Sequence, residues 1–193
     1  PDALAPHPEL KSATIADLIQ NRTLNDNTIE QKDTRPVTTA MGEFRLHTYT
    51  DKISECVHFA LVKGDIDEKH PCLVRVQVLN TLRDILLTER PGEKPSWSLH
   101  DSMAKIAQEG NGVVGIVGQE PSQEESLAQV NHFPDVPPIQ RHNNEVGVYR
   151  LVGTGSQILR DIGVGKMRLL SSPIRFNAIS GFQLEVVEFV ENE

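Results

Sequence analysis

Three stretches in the first half of the chain are predicted to be β-strands, and the first of them alternates apolar and polar side chains. They cover residues 42–50, 56–66 and 71–79. The second stretch ends at the turn signal Gly64-Asp65. The third carries apolar side chains on both faces, which is typical of a strand with neighbours on either side. The pattern predicts an antiparallel front sheet or half-barrel.

The stretch 153–190 reads as two helices that alternate with two short apolar strands. Thr154 or Ser156 can cap the first helix by accepting hydrogen bonds from its first amides. Helices alternating with strands favour a parallel α/β layer. The predicted elements are a helix ending at Gly163, a strand over 166–170, a helix from Ser172 to Gly181 and a strand over 184–190.

The middle of the chain connects these two halves. Apolar side chains at helical spacing predict a helix over 99–107 that ends at Gly110, followed by a buried strand over 113–117. The segment 119–147 loses periodicity and carries several prolines, so most of it is predicted to be loop. These elements together predict an α/β (α+β) fold. Its mixed sheet has antiparallel N-terminal strands and a C-terminal αβαβ segment.

The N-terminal region differs in composition from the rest. Residues 14–19, TIADLI, predict a short amphipathic helix, and residues 21–36 are polar and read as a linker. The predicted organisation is a junction segment over 1–35 and one domain over 36–193. Because the chain does not begin with methionine, we expect it to come from a longer or processed protein.

Composition narrows the functional classes. The net charge of -8 disfavours nonspecific nucleic-acid binding through phosphates. No apolar run approaches the roughly 20 residues of a membrane span, and no signal peptide is evident, so we expect a cytoplasmic protein that does not bind membranes. The two cysteines, Cys56 and Cys72, form no metal-type cluster, and each is expected to pack as a small hydrophobe.

Five motifs in a fixed order resemble the GTP cyclohydrolase II family of riboflavin biosynthesis. They are RPVTTAMGEFRLHTY, HFALVKGDI, PCLVRV, IAQEGNGVV and, most specifically, GSQILRDIGVGKMRLL. The resemblance covers about residues 36–190 and implies the family's fold and a homodimer. The TIADLI segment is similar to the junction in fusions with 3,4-dihydroxy-2-butanone 4-phosphate synthase. That similarity predicts the C-terminal half of such a fusion, with the synthase domain as fused or associated partner.

The resemblance also implies a zinc ion held by three cysteines, from an HSEC and a CDCG motif. Here residues 77–80 read Gln-Val-Leu-Asn and residues 93–96 read Glu-Lys-Pro-Ser. Cys56 and Cys72 fall earlier in the sequence than the ligand positions. Zinc chemistry needs protein ligands and an open position for water. The sequence therefore predicts no metal site, no cofactor and no catalytic residue of the family type, and the expectation leans away from an enzyme.

The phosphate-binding stretch of the family, RQEGRGIGL, is also altered. Residues 118–127 contain no arginine and several acidic side chains, and Val148 stands where the family has a carboxylate. Arg150 matches the family's arginine, and Thr154 lies in the sequence Gly-Thr-Gly-Ser, whose amides could hold an anion at a helix start. Both are candidates for a remnant nucleotide or phosphate site. Arg150 could instead anchor a loop through an ion pair, and Thr154 could simply start a helix.

For the other polar side chains the sequence predicts structural or solvent-exposed roles. His58 alternates into a strand and reads as structural, and Asp84 and Asp101 read as solvated acids at helix ends.

Three functions stay open at this point. The first is a riboflavin-biosynthesis domain that lost the zinc ligands and catalytic residues and has a structural or regulatory role for a butanone-phosphate synthase. The second is an active or weak GTP cyclohydrolase II. The third is a sensor that binds a pathway metabolite, with segment 119–147 as its lid.

Overall fold

One mixed β-sheet organises the protein. The computed structural model describes residues 27–52, 55–89, 91–92, 96–118, 123–133, 141–172 and 183–192, with the backbone alone for 141–150. Within these residues the sheet has seven strands in the order β1-β2-β3-β5-β4-β6-β7. They are β1 (Ile29–Thr39), β2 (Gly42–Asp51), β3 (Val57–Lys63), β4 (Cys72–Gln77), β5 (Gly112–Ile116), β6 (Lys166–Leu170) and β7 (Glu185–Val190).

The pairing direction changes at the centre of the sheet. Strands β1, β2, β3 and β5 pair antiparallel in turn, whereas β5, β4, β6 and β7 pair parallel. The strands predicted over 42–50, 56–66 and 71–79 are confirmed as β2, β3 and β4. Strand β4 lies between β5 and β6, as its two apolar faces indicated. The predicted α/β class with a mixed sheet and antiparallel N-terminal strands is therefore confirmed.

Three α-helices and one short π-helix accompany the described strands. They are α1 (Leu99–Glu109), α2 (Gln123–His132), α3 (Arg141–Ile162) and the π-turn (Thr81–Ile85). Ser98 caps the start of helix α1, because its hydroxyl accepts a hydrogen bond from the Asp101 backbone N–H at 3.1 Å. The helix ends at Gly110, whose φ of 79° is the left-handed conformation that glycine adopts readily. The helix predicted over 99–107 is confirmed.

Both faces of the sheet are covered, so the core has two parts. Helix α3 packs on one face, where Ile158 and Leu159 join a cluster with Val74 and Val113. Helix α1 packs on the other, where Met103 and Ile106 join a second cluster. In β5, successive side chains point to opposite clusters because the side-chain period of a strand is two. The result is a three-layer α/β arrangement.

The predicted linker over 21–36 is wrong in its second half. Strand β1 begins at Ile29 and pairs with β2 along its length. As an edge strand it is mostly exposed, so its sequence lacks the apolar alternation that marks the inner strands. Strand β1 also crosses the predicted boundary at residues 35 and 36, and the division into domains stays a prediction.

The predicted loop over 119–147 is also wrong in large part, because α2 and the beginning of α3 lie there. Helix α2 buries none of its ten residues, so its sequence carries no apolar stripe facing a core. The expected helices over 14–19 and from Ser172 to Gly181 fall outside the described residues, apart from Ser172 itself.

The helix start predicted at Thr154 or Ser156 is a further error. Helix α3 begins at Arg141, so both residues lie well inside it. A Cβ atom on Gly155 would lie 2.7 Å from Cγ1 of Val76. The glycine therefore allows α3 to approach β4 closely, and packing explains it without a helix terminus.

Candidate functional site

The carboxyl ends of the parallel strands β4, β5 and β6 lie at one edge of the sheet, where open α/β sheets bind ligands. Strand β4 leads there into the π-turn, and α1 starts beside that turn. Polar groups gather at this edge and form what we call the polar joint. Its members are the side chains of Arg75, Gln77, Asn80, Arg83 and Asp84 and the backbone amide of Leu99.

Asp84 is the centre of the polar joint and is only 2% exposed. Its Oδ1 accepts hydrogen bonds from Arg83 Nε at 2.9 Å and from the Leu99 backbone N–H at 2.9 Å. Its Oδ2 accepts from the Asn80 backbone N–H at 2.8 Å and from Arg83 Nη2 at 2.7 Å. Burial pushes the pKa of Asp84 upward, but these donors outweigh burial and the pKa lies below its usual value. Asp84 is therefore a buried carboxylate, and the expectation of a solvated helix-end acid is wrong.

Arg75 is the second charged group of the joint. Its Nε donates to Gln77 Oε1 at 2.9 Å, its Nη1 to the Leu170 carbonyl at 2.8 Å and its Nη2 to the Trp97 carbonyl at 3.2 Å. Burial, and after it the neighbouring Arg83, lowers the pKa of Arg75 to about 10, against the opposing effect of Asp84. All three of these hydrogen bonds go to neutral oxygens.

Gln77 carries a buried donor that has no acceptor within the part of the chain that the structure describes. The residue is 3% exposed, and its Nε2 has no hydrogen-bond partner there, although its Oε1 accepts from Arg75. An unsatisfied buried amide costs roughly 1–3 kcal/mol. Such a group is a candidate contact for a ligand with an acceptor oxygen.

The residues of the polar joint do not fit a zinc ion. The whole chain has two cysteines, so one chain cannot supply three thiolates. Cys72 lies at the start of β4, at the opposite end from Asn80, and burial raises the pKa of its thiol to about 11. The four hydrogen bonds to Asp84 use the sites at which a carboxylate would bind a metal. Among the described residues no group of three or more His, Cys, Asp or Glu side chains could hold a metal ion.

A second buried polar group lies next to the carboxyl end of β5. His58 is 1% exposed, and its Nδ1 accepts a hydrogen bond from the Gly118 backbone N–H at 2.9 Å. The proton of the neutral ring is therefore on Nε2, which lies 3.9 Å from Asp51 Oδ2. Burial lowers the pKa of His58, and the Asp51 carboxylate opposes that shift in part.

This geometry predicts that the free energy of unfolding falls as the solution becomes acidic below about pH 6.5. The folded state holds His58 neutral, so the unfolded chain binds more protons once the pH falls below the unfolded pKa. The contribution is complete above that pKa and is lost as the pH falls towards the folded value, by at most about 1.4 kcal/mol per pH unit for one proton. Urea denaturation between about pH 8 and about pH 5 measures it.

His58→Gln is expected to flatten this dependence, with a residual slope from His47, whose pKa burial also lowers. His132→Gln is the matched control, because His132 lies on the exposed helix α2. Equal slopes for the protein and its His58→Gln variant would contradict the prediction.

The two predicted site residues both lie on α3, away from the helix terminus expected for an anion site. Thr154 is 4% exposed in the interior of the helix. Arg150 lies on the same helix, and its side chain is outside what the structure describes. Their role in binding stays a prediction. Sequence reasoning missed the polar joint, although Asn80 ahead of an apolar turn is a cap signal that could have indicated a structured connection.

The fold and the joint define a three-layer α/β protein with a mixed sheet and a polar edge at its parallel strands. The family model described as GTP cyclohydrolase II matches residues 30–191. The chain belongs to the GTP cyclohydrolase II family.

Several curated relatives carry the name of a different enzyme. The chain is 44% identical over 193 residues to a 3,4-dihydroxy-2-butanone 4-phosphate synthase of Pseudomonas aeruginosa, with 100% of this chain and 51% of the relative covered. It is 33% identical over 194 residues to the riboflavin biosynthesis protein RibBA of Parabacteroides distasonis, with 96% of this chain and 47% of the relative covered. The chain is thus homologous to riboflavin-biosynthesis proteins, and it spans about half the length of the curated relatives it matches.

A solved structure agrees with these matches. The crystal structure of RibBX, a two-domain 3,4-dihydroxy-2-butanone 4-phosphate synthase from A. baumannii, superposes with a TM-score of 0.64 at 35% identity. The match covers 93% of this chain and 45% of that one.

These comparisons correct two expectations. The prediction of a degenerate domain from the C-terminal half of a fusion is contradicted, because a relative named as the synthase matches 100% of this chain. The expectation that leaned away from an enzyme is contradicted too, since the synthase is an enzyme. Among the described residues no helix has the length and apolar character needed to cross a membrane. The cytoplasmic location stays a prediction.

Proposed function

We propose that the chain serves the formation of 3,4-dihydroxy-2-butanone 4-phosphate in riboflavin biosynthesis rather than the zinc-dependent opening of the guanine ring of GTP. The names of its relatives support the first part. The polar joint carries the second part, because Asp84 and Arg83 bind each other close to where the resemblance expects zinc ligands.

The proposed contribution of residues 36–193 to this activity is structural or regulatory. The two-sided core supports it, since this part of the chain has its own packed layers on both faces of the sheet. An associated synthase domain as the partner, and a homodimer as the assembled form, belong to the same proposal. So does the absence of nucleic-acid and membrane partners.

One observation favours a second candidate, the binding of a pathway metabolite. Two groups are donors at the edge where α/β sheets hold ligands. They are the Nε2 of Gln77, which has no partner among the described residues, and the guanidinium of Arg75, which donates to neutral oxygens. Arg150 and Thr154 would be further contacts on α3. Calorimetric titration with GTP and with 3,4-dihydroxy-2-butanone 4-phosphate separates this candidate from a purely structural role, because only the sensor predicts a saturable heat without turnover.

The proposal is tested by assaying the complete natural protein that contains this chain. We expect 3,4-dihydroxy-2-butanone 4-phosphate to form and GTP to remain unchanged under the same conditions, with heat-denatured protein as the control. Conversion of GTP to a ring-opened product, with no butanone phosphate formed, would contradict the proposal.

A further inference from the structure

We propose that the Arg83–Asp84 ion pair is an internal cross-link that takes the place of a metal ion between the end of β4 and the start of α1. This inference rests on the contacts of the polar joint and does not depend on the proposed function. A structural metal joins chain segments by placing anionic ligands around one cation. Here the charges are exchanged: the central group is an anion, the Asp84 carboxylate, and hydrogen-bond donors from separate segments surround it.

The contacts show which segments are joined. Asp84 accepts hydrogen bonds from Asn80, which precedes the π-turn, and from Arg83 within it. It also accepts from the Leu99 amide, fifteen residues further along the chain. Leu99 is the first residue of α1, whose amide has no partner within the helix. The carboxylate therefore satisfies a helix N-terminus and fixes the π-turn against it at the same time.

The coordination of Asp84 is complete without a further ligand. Each carboxylate oxygen accepts two hydrogen bonds, which matches the roughly four acceptor sites of the group. The side chain of Asp84 is 0% exposed, while that of Arg83 is 26% exposed, so the carboxylate is the buried member of the pair. The guanidinium of Arg83 already neutralises the charge of Asp84. A metal cation placed next to Asp84 would therefore be repelled by Arg83 without gaining an unpaired anion.

Helix geometry adds to the stabilisation. The N-terminus of α1 carries a partial positive charge, which favours an anion within its first turn. The hydrogen bond from the Leu99 amide places the Asp84 carboxylate at this N-terminus. A second acid, Asp101, belongs to the first turn of the helix. Removing the charge of Asp84 would leave Arg83 without its partner, and breaking a buried pair in this way is strongly destabilising.

The test compares single and double replacements in the purified chain by chemical denaturation and amide hydrogen exchange. Asp84→Asn is expected to raise the unfolding equilibrium constant by about 100-fold or more and to increase exchange at the Leu99 amide. Asp33→Asn is the matched control, since Asp33 pairs with Arg35 on the surface, where such pairs contribute little. A change within about threefold is expected for the control.

A second variant keeps the test decisive if Asp84→Asn does not fold. The double replacement Arg83→Gln/Asp84→Asn removes both charges, so no unpaired guanidinium remains, and it keeps an amide oxygen that can accept from the Leu99 backbone N–H. It is expected to fold and to be more stable than Asp84→Asn. Two results would overturn the proposal: an Asp84→Asn effect no larger than that of the control, or a rise in the denaturation midpoint of the unaltered chain on titration with zinc.

Discussion

Ile106→Ala is expected to lower the free energy of unfolding by about 2–5 kcal/mol, the range measured for large-to-small replacements in well-packed cores. Ile106 is 0% exposed and packs between α1 and the sheet, beside Leu73, Val114 and Leu170. A Cβ atom on Gly112 would lie 2.9 Å from Cγ1 of Ile106, so the backbone of β5 approaches this side chain closely. Little room exists for neighbours to move into the cavity, which favours the upper part of the range.

The chain offers a matched control for this replacement. Ile85 is 65% exposed, so Ile85→Ala removes the same atoms from a position that is largely in contact with solvent. We expect its effect to stay within about 0.5 kcal/mol. Urea denaturation of both variants measures the difference, and similar losses for Ile85→Ala and Ile106→Ala would contradict the placement of α1 on the core.

Gly155→Ala is expected to destabilise the protein by about 1–3 kcal/mol, the usual cost of overpacking. Helix propensity alone predicts the opposite sign, because alanine is favoured over glycine by about 1 kcal/mol inside a helix. The contact decides the sign, since the new Cβ would lie 2.7 Å from Cγ1 of Val76. Valine is stiff about χ1, so its methyl group cannot turn away freely.

A double-mutant cycle separates packing from propensity. In a Val76→Ala background the clashing methyl group is gone, and Gly155→Ala is then expected to be neutral or stabilising by up to about 1 kcal/mol. The measurement is the free energy of unfolding of the four variants. Destabilisation of equal size in both backgrounds would show that the close approach of α3 to β4 is not the reason for the glycine.

The inner strands and helix α1 could be predicted from the sequence because their burial leaves a recognisable set of apolar positions. Strand β4 is buried on both faces and its sequence shows it, and Ser98 and Gly110 mark the ends of α1 by local backbone chemistry. Local patterns of this kind need no knowledge of distant contacts.

The secondary-structure prediction was wrong for elements that bury few side chains, because their sequences show no apolar period. It was also wrong where one residue type fits two structural roles. Helix α2 faces no core, and edge strand β1 is mostly exposed, so neither shows a strong period. Gly155 could mark a helix start or a close contact, and only the position of Val76 decides between them.

The polar joint could not be predicted because its centre depends on long-range geometry. The sequence shows Asp84 as an isolated acid, and its contact with Leu99 arises only when α1 packs beside the π-turn. The sequence shows that residues 77–80 and 93–96 contain no cysteine, whereas the hydrogen bonds of Asp84 could not be predicted from it.

Zinc content, measured together with GTP turnover on the purified chain, tests the central claim most directly. That claim is that this member of the GTP cyclohydrolase II family holds the end of β4 through Asp84 and Arg83 and does not open the guanine ring. The account predicts no stoichiometric zinc and no formamidopyrimidine product. One zinc ion per chain with product formed would contradict it, and would require ligands other than those of the polar joint.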